Sequence, residues 1–142
     1  MLAAVAAAEI AVLVRRGGDG GAGGTVCRGQ DARARLEAMP GAPRGAGGYA
    51  CLRSVNGERR LVMHAEGLAV QRGADYEAWL LDGSGPAARA EALGVLGKGP
   101  DLSVIVPASL DLSRYSIVDI SAEAHDGDAT HSGRSVLRGR LP

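Results

Sequence analysis

Between Val26 and Leu141 the apolar residues recur at every second position, in runs too short for anything but strands. Gly, Pro and Asp-Gly clusters break each run; a helix could be written over PAARAEAL (Pro86 to Leu93), but a strand-to-strand turn explains it better. YACLRSV (Tyr49 to Val55) runs into Asn56-Gly57, a dipeptide that favours a two-residue hairpin. After that turn Leu61, Met63 and Ala65 share one face, and Val62, His64 and Glu66 share the other. The same alternation places Leu102, Val104 and Val106 together. It sets Val118, Ile120 and Ala122 against Asp119, Ser121 and Glu123, and Leu137, Gly139 and Leu141 against Val136, Arg138 and Arg140. In DYEAWLLDG both faces are largely apolar, Tyr76, Ala78 and Leu80 on one and Glu77, Trp79 and Leu81 on the other, so this strand is expected to be covered on both sides. ARARLEAMPGAP suits a half-buried strand as well as a helix, whose length Pro40 and Pro43 would limit. The pattern predicts an all-β fold, an antiparallel, immunoglobulin-like β-sandwich of about eight strands.

The first residues differ. MLAAVAAAEIAVLV is apolar apart from Glu9 and stops at Arg15-Arg16. It is shorter than the roughly 20 residues of a full membrane span. Two readings fit: the end of a transmembrane helix, which is preferred, or an Ala-rich helix lying on the domain. GGDGGAGG follows, a composition that favours a flexible tether. The expected organisation is therefore a short apolar helix over 1–16, a Gly-rich linker over 17–25 and a β-domain over 26–142.

Lys+Arg and Asp+Glu both total 16, so the formal net charge is zero. That balance gives no basic surface for nucleic acid. Cys27 and Cys51 lack C-x-x-C spacing, which argues against zinc or thioredoxin-type chemistry. Outside the cytoplasm they could pair as a disulfide; the alternative is two small buried hydrophobes. No phosphate-binding or dinucleotide-binding glycine motif opens a helix, and no cofactor is expected.

The polar stretch EAHDGDATHSG (Glu123 to Gly133) is the one place where metal or catalytic chemistry could be written. Asp126, Asp128 and His131 are weak metal candidates, as His125 is beside them. A calcium loop needs about six ordered oxygen ligands, and no bidentate Glu follows. Ser132, His131 and Asp126 spell a triad, yet there is no G-x-S-x-G elbow. The plainer reading is a wet turn between two strands, with Asp and Gly present for turn chemistry. Trp79 reads as a core anchor, and His64 beside Glu66 as an exposed sheet position.

Several landmarks occur in order: GLAVQRGADYEAWLLDG, ALGVLG, VPASLDLSRYSIVDISAEAHDG and a final SVLRGRL. The series resembles the C-terminal, extracytoplasmic domain of the anti-sigma-K factor (RskA-type) family, over roughly Gly48 to Pro142. The positions that carry the resemblance include Tyr76, Trp79, Leu80, Leu93, Gly94, Tyr115, Glu123, Gly127 and Gly139. Two departures stand out. The family's turn after the Glu carries Pro and Ser where this chain has EAHDGDATHSG. Arg15-Arg16 also follow the apolar run, on the side that the positive-inside rule gives to the cytoplasm.

The resemblance implies a regulatory domain and no catalysis. It implies a single-pass location at the cell membrane through the N-terminal apolar segment, with the domain on the extracytoplasmic side. It further implies release of an extracytoplasmic-function sigma factor by regulatory proteases. The sigma factor would be bound only through a cytoplasmic domain of the family, whose His and Cys motif these 142 residues do not carry. The alternatives are a secreted or surface β-sandwich that binds protein or carbohydrate, for which four aromatic residues are few, and a small metal enzyme built on the His125–His131 loop.

Overall fold

The computed structural model describes residues 27–29, 31–97 and 99–142. The expected apolar helix (1–16), the Gly-rich linker (17–25) and Val26 lie outside the described residues. Eight strands follow in order: β1 (Ala32–Ala38), β2 (Gly47–Val55), β3 (Glu58–Glu66), β4 (Ala74–Leu81), β5 (Ala90–Val95), β6 (Asp101–Ile105), β7 (Ile117–Ala124) and β8 (Ser135–Arg140). No helix occurs among the described residues.

Every ladder is antiparallel, and the strands form one sheet in the order β5-β4-β7-β8-β1-β2-β3-β6. The all-β class and the strand number are as expected. The separate sheets of an immunoglobulin-like sandwich are not. The end of β1 pairs with β8 through Glu37↔Arg138 and Ala38↔Leu137, which joins two four-stranded halves into a single, nearly closed, barrel-like sheet. Gly139 permits that junction, because a Cβ there would sit 2.2 Å from the Arg35 carbonyl oxygen. At the open seam the Val104 side chain of β6 lies against the bare backbone of Gly94 in β5. A Cβ on Gly94 would lie 3.2 Å from Val104 Cγ1, and no ladder joins the two strands.

Local chemistry fixes the register. Asn56 and Gly57 have φ of 51° and 81°, the pair of positive values that a tight hairpin turn between β2 and β3 requires. Val55 therefore faces Glu58, the first of nine successive pairs that run up to Gly47↔Glu66. That register turns Leu61, Met63 and Ala65 inward with Ala50. They join Leu36, Leu80, Ile120 and Leu137, all essentially without exposure, in the main core. Each such Leu or Ile contributes about 1.5–3 kcal/mol through burial.

β4 is covered on both faces, as its sequence predicts: Ala78 and Leu80 enter the main core, while Trp79 and Leu81 form a second small cluster with Ile117. β7 is buried on both faces too. Its outward row is Asp119, Ser121 and Glu123, which alternation alone leaves facing water. His64 also departs from the exposed position expected of it. Its side chain is 12% exposed, stacks on Tyr49 and bonds Asp101 at 2.7 Å across β3 and β6. The long strands β2 and β3 bring these groups together, which spacing within one strand cannot reveal.

Candidate functional site

The outward face of β7 carries the densest polar chemistry of the described residues, and the stretch after it folds back to cover that face. Asp119 is fully buried and accepts three hydrogen bonds. Arg138 Nε, from β8, donates to Oδ1 at 2.7 Å. His131 Nε2 and Ser135 Oγ reach Oδ2 at 2.7 and 2.8 Å. Arg138 Nη2 also donates to Ser135 Oγ at 3.1 Å, which closes a ring of contacts. A buried carboxylate is tolerated only when it is paired and saturated in this way.

The tautomer of His131 follows from its second nitrogen. The Gly133 N–H donates to Nδ1 at 2.9 Å, so Nδ1 is an acceptor and the proton of the neutral ring sits on Nε2, aimed at Asp119. The imidazole leans on Trp79 with ring centroids 5.1 Å apart. Trp79 then starts a second chain of bonds. Its Nε1–H donates to Ser121 Oγ at 2.8 Å, and Ser121 donates to Glu123 Oε1. Glu123 receives the Ser132 N–H at 3.1 Å on both oxygens, and Ser132 Oγ donates to the Ala122 carbonyl at 2.8 Å. Glu77, beside Ser121 on β4, has its carboxyl raised above the usual range, first by burial and then by the negative Glu123, with His131 pulling the other way.

The stretch EAHDGDATHSG is therefore two things at once. Asp126 and Asp128 are exposed and serve turn chemistry: Asp126 Oδ1 accepts the Asp128 N–H at 2.9 Å, and Asp128 Oδ1 accepts the Thr130 N–H at 2.9 Å. The hydroxyl and N–H of Thr130 hold the Asp128 carboxyl below its usual range. Gly127, at φ 80°, sits in the same turn. The His131 ring and the Ser132 hydroxyl, in contrast, bond back onto β7. The structure thus separates the weak metal candidates, and no group of three or more metal-ligating side chains converges among the described residues. Nor do the triad letters meet: His131 faces Asp119, not Asp126, and Ser132 Oγ is engaged with a backbone carbonyl. His125 stays outside and bonds Asp75 at 2.7 Å.

The remaining landmark residues are spread through the fold. Leu80 and Tyr115 belong to the core, and Leu93 packs against it. Tyr76 accepts a bond from Gln71 Nε2 at 3.1 Å. Of the landmarks, Trp79 and Glu123 meet in one network, together with Ser121. Alternation showed that Ser121 and Glu123 share a face, but it gave no sign of what covers them. Asp119, Arg138 and Ser135 carried no sequence signal as a site.

At the other end of the chain, Cys27 and Cys51 are joined as a disulfide with their Cα atoms 5.7 Å apart. Asp31 reinforces it, accepting the Arg28 N–H at 2.7 Å and Arg53 Nη2 at 2.9 Å. Those bonds, the Arg28 N–H foremost, hold the Asp31 carboxyl below its usual range.

Among the described residues no helix is long and apolar enough to cross a membrane. No curated protein and no solved structure matches the chain. A family model does match, over residues 1–135, described as the C-terminal part of the anti-sigma-K factor RskA. That match takes in the N-terminal segment and stops at the first residue of β8, so the likeness at Gly139 lies beyond it. The chain belongs to this family of anti-sigma-K factor C-terminal domains, which is extracytoplasmic and regulatory.

Proposed function

We propose that this domain is the extracytoplasmic regulatory part of a membrane-held anti-sigma factor, and that it controls release of an extracytoplasmic-function sigma factor through regulated proteolysis. The observation that carries the reading is the family match across residues 1–135. The Cys27–Cys51 disulfide is consistent with a compartment outside the reducing cytoplasm. The apolar residues 1–16 would hold the domain at the membrane, and the Gly-rich residues 17–25 would be the cleavable tether. Contact with the sigma factor is assigned to a cytoplasmic segment of the family, not to these residues.

In this reading the domain acts sterically and conformationally. The disulfide and the Asp31–Arg53 pair fix the chain to β2 immediately after the tether. A folded sheet anchored there would crowd a protease away from residues 17–25, and unfolding or ligand binding would lift the block. The test is limited proteolysis of the intact chain, followed by mass spectrometry of cleavage within 17–25. Slow cleavage in the folded protein and fast cleavage after reduction and denaturation are expected. Equal rates in both would refute the shielding mechanism.

A further inference from the structure

The polar network under the last loop is also the floor of a cavity of about 480 Å³, within the size range of small-molecule sites. Three segments converge on it: Met39–Pro40 after β1, the turn between β4 and β5 with Ser84, Pro86 and Ala88, and His131 with the exposed Gly133. We propose that this cavity is a binding site for an organic carboxylate with a compact apolar body.

The chemistry of the walls selects that class. Nearly every polar group on the floor is already spent. Asp119 has its three donors, His131 uses both nitrogens, and Ser135 both donates and accepts. Arg138 is the exception. Its Nε and Nη2 are engaged, but Nη1 makes only a long 3.4 Å contact with the Ser84 carbonyl. The cavity thus offers a fixed guanidinium edge with a free donor, and its buried carboxylate is fully consumed. A ligand oxygen that accepts is what such a site lacks. The lining segments also carry Arg89 and Arg134, both exposed, while nearby Asp82 is paired with Arg114 at 3.1 Å. Against them stands the exposed Glu37, which faces Arg138 across the β1–β8 pair, so the preference for an anion rests on the free Arg138 donor. The other walls, Met39, Pro40, Leu81, Pro86 and Ala90, are apolar and suit a short branched aliphatic body. The carboxylate could belong to a free acid or to the terminal residue of a peptide, since the recognition chemistry is the same.

His131 and Arg138 hold the floor rigid through Asp119, so the site is preformed and binding needs little reordering. The inference concerns binding alone and stands whether or not the domain regulates a sigma factor. Trp79, the sole tryptophan, leans on His131 and reports on the site. The test is titration of the intact chain with 4-methylpentanoate, its primary amide, and N-acetyl-leucine as the peptide-end mimic, read by Trp79 fluorescence and by amide shifts of residues 131–135. Saturable binding of a carboxylate is expected, with a Kd on the order of 1 mM or tighter for a probe this small. The amide should bind about tenfold more weakly. Tighter binding of N-acetyl-leucine than of the free acid would assign the source as a peptide end, and the reverse order a free acid. Ala88→Leu fills the cavity without touching the Asp119 network. It should abolish binding while leaving the thermal midpoint unchanged. No saturable response to either carboxylate, or equal responses in the filled variant, would overturn the proposal.

Discussion

Replacing Asp119 with Asn removes one charge and barely changes shape, so its cost measures the buried network directly. The carboxylate has no exposure and faces three donors, with Arg138 Nε on one oxygen and His131 Nε2 and Ser135 Oγ on the other. An amide can be turned two ways, and neither satisfies all three. With its NH₂ toward Arg138, two donors collide and the guanidinium, with a side chain only 20% exposed, loses its counter-ion. With its NH₂ toward His131, the ring must move its proton to Nδ1, where it meets the Gly133 N–H. Breaking one partner of a buried pair costs about 3–5 kcal/mol. For a domain of this size that lowers the thermal midpoint by roughly 10–15 °C. Urea denaturation followed by Trp79 fluorescence and by circular dichroism measures it. A companion variant, Asp119→Leu with Arg138→Met, removes both charges and should cost less than Asp119→Asn alone, because no charge is left buried and unpaired. If Asp119→Asn costs under about 1 kcal/mol, or if the double variant costs more than the single, the reasoning is wrong.

Two further outcomes follow from the same structure. Glu77 has its folded-state carboxyl raised by burial and by Glu123, so the native state binds its proton more tightly than the unfolded chain does. Its contribution is then fully present below the usual Glu range and is lost as pH rises through the raised native value. Glu77→Gln should stabilise the protein at pH 8 and do little at pH 4, as chemical denaturation at the two pH values would show; a larger gain at pH 4 would contradict the sign. Reducing the Cys27–Cys51 disulfide, whose partners are 24 residues apart, frees a loop whose closure is worth about 3 kcal/mol. Cys51→Ser should lower the unfolding free energy by a similar amount, as urea denaturation would measure, and reductant should then have no further effect on that variant.

The strands were legible because alternation is a property of the chain itself. Leu61, Met63 and Ala65 had to share a face whatever the fold, and Asn56-Gly57 had to turn, because the pleat has a period of two and that dipeptide accepts positive φ. The same rule set Asp119, Ser121 and Glu123 on one face of β7. Whether that face is wet depends on what lies over it, and period carries no such information. The cover comes from residues 131–135, which only a chain reversal after Ala124 can bring back onto Asp119 and Glu123. Likewise, closure through β1 and β8 rests on two residue pairs and on the bare backbone of Gly139, too short a signal to read in advance. By itself the sequence determined the strands, their inward faces and the hairpin turn, because these follow from local geometry. Tertiary structure decided that the sheet is one and nearly closed, and that the polar stretch EAHDGDATHSG is half turn and half clamp, because the partners of a buried charge are set by long-range packing.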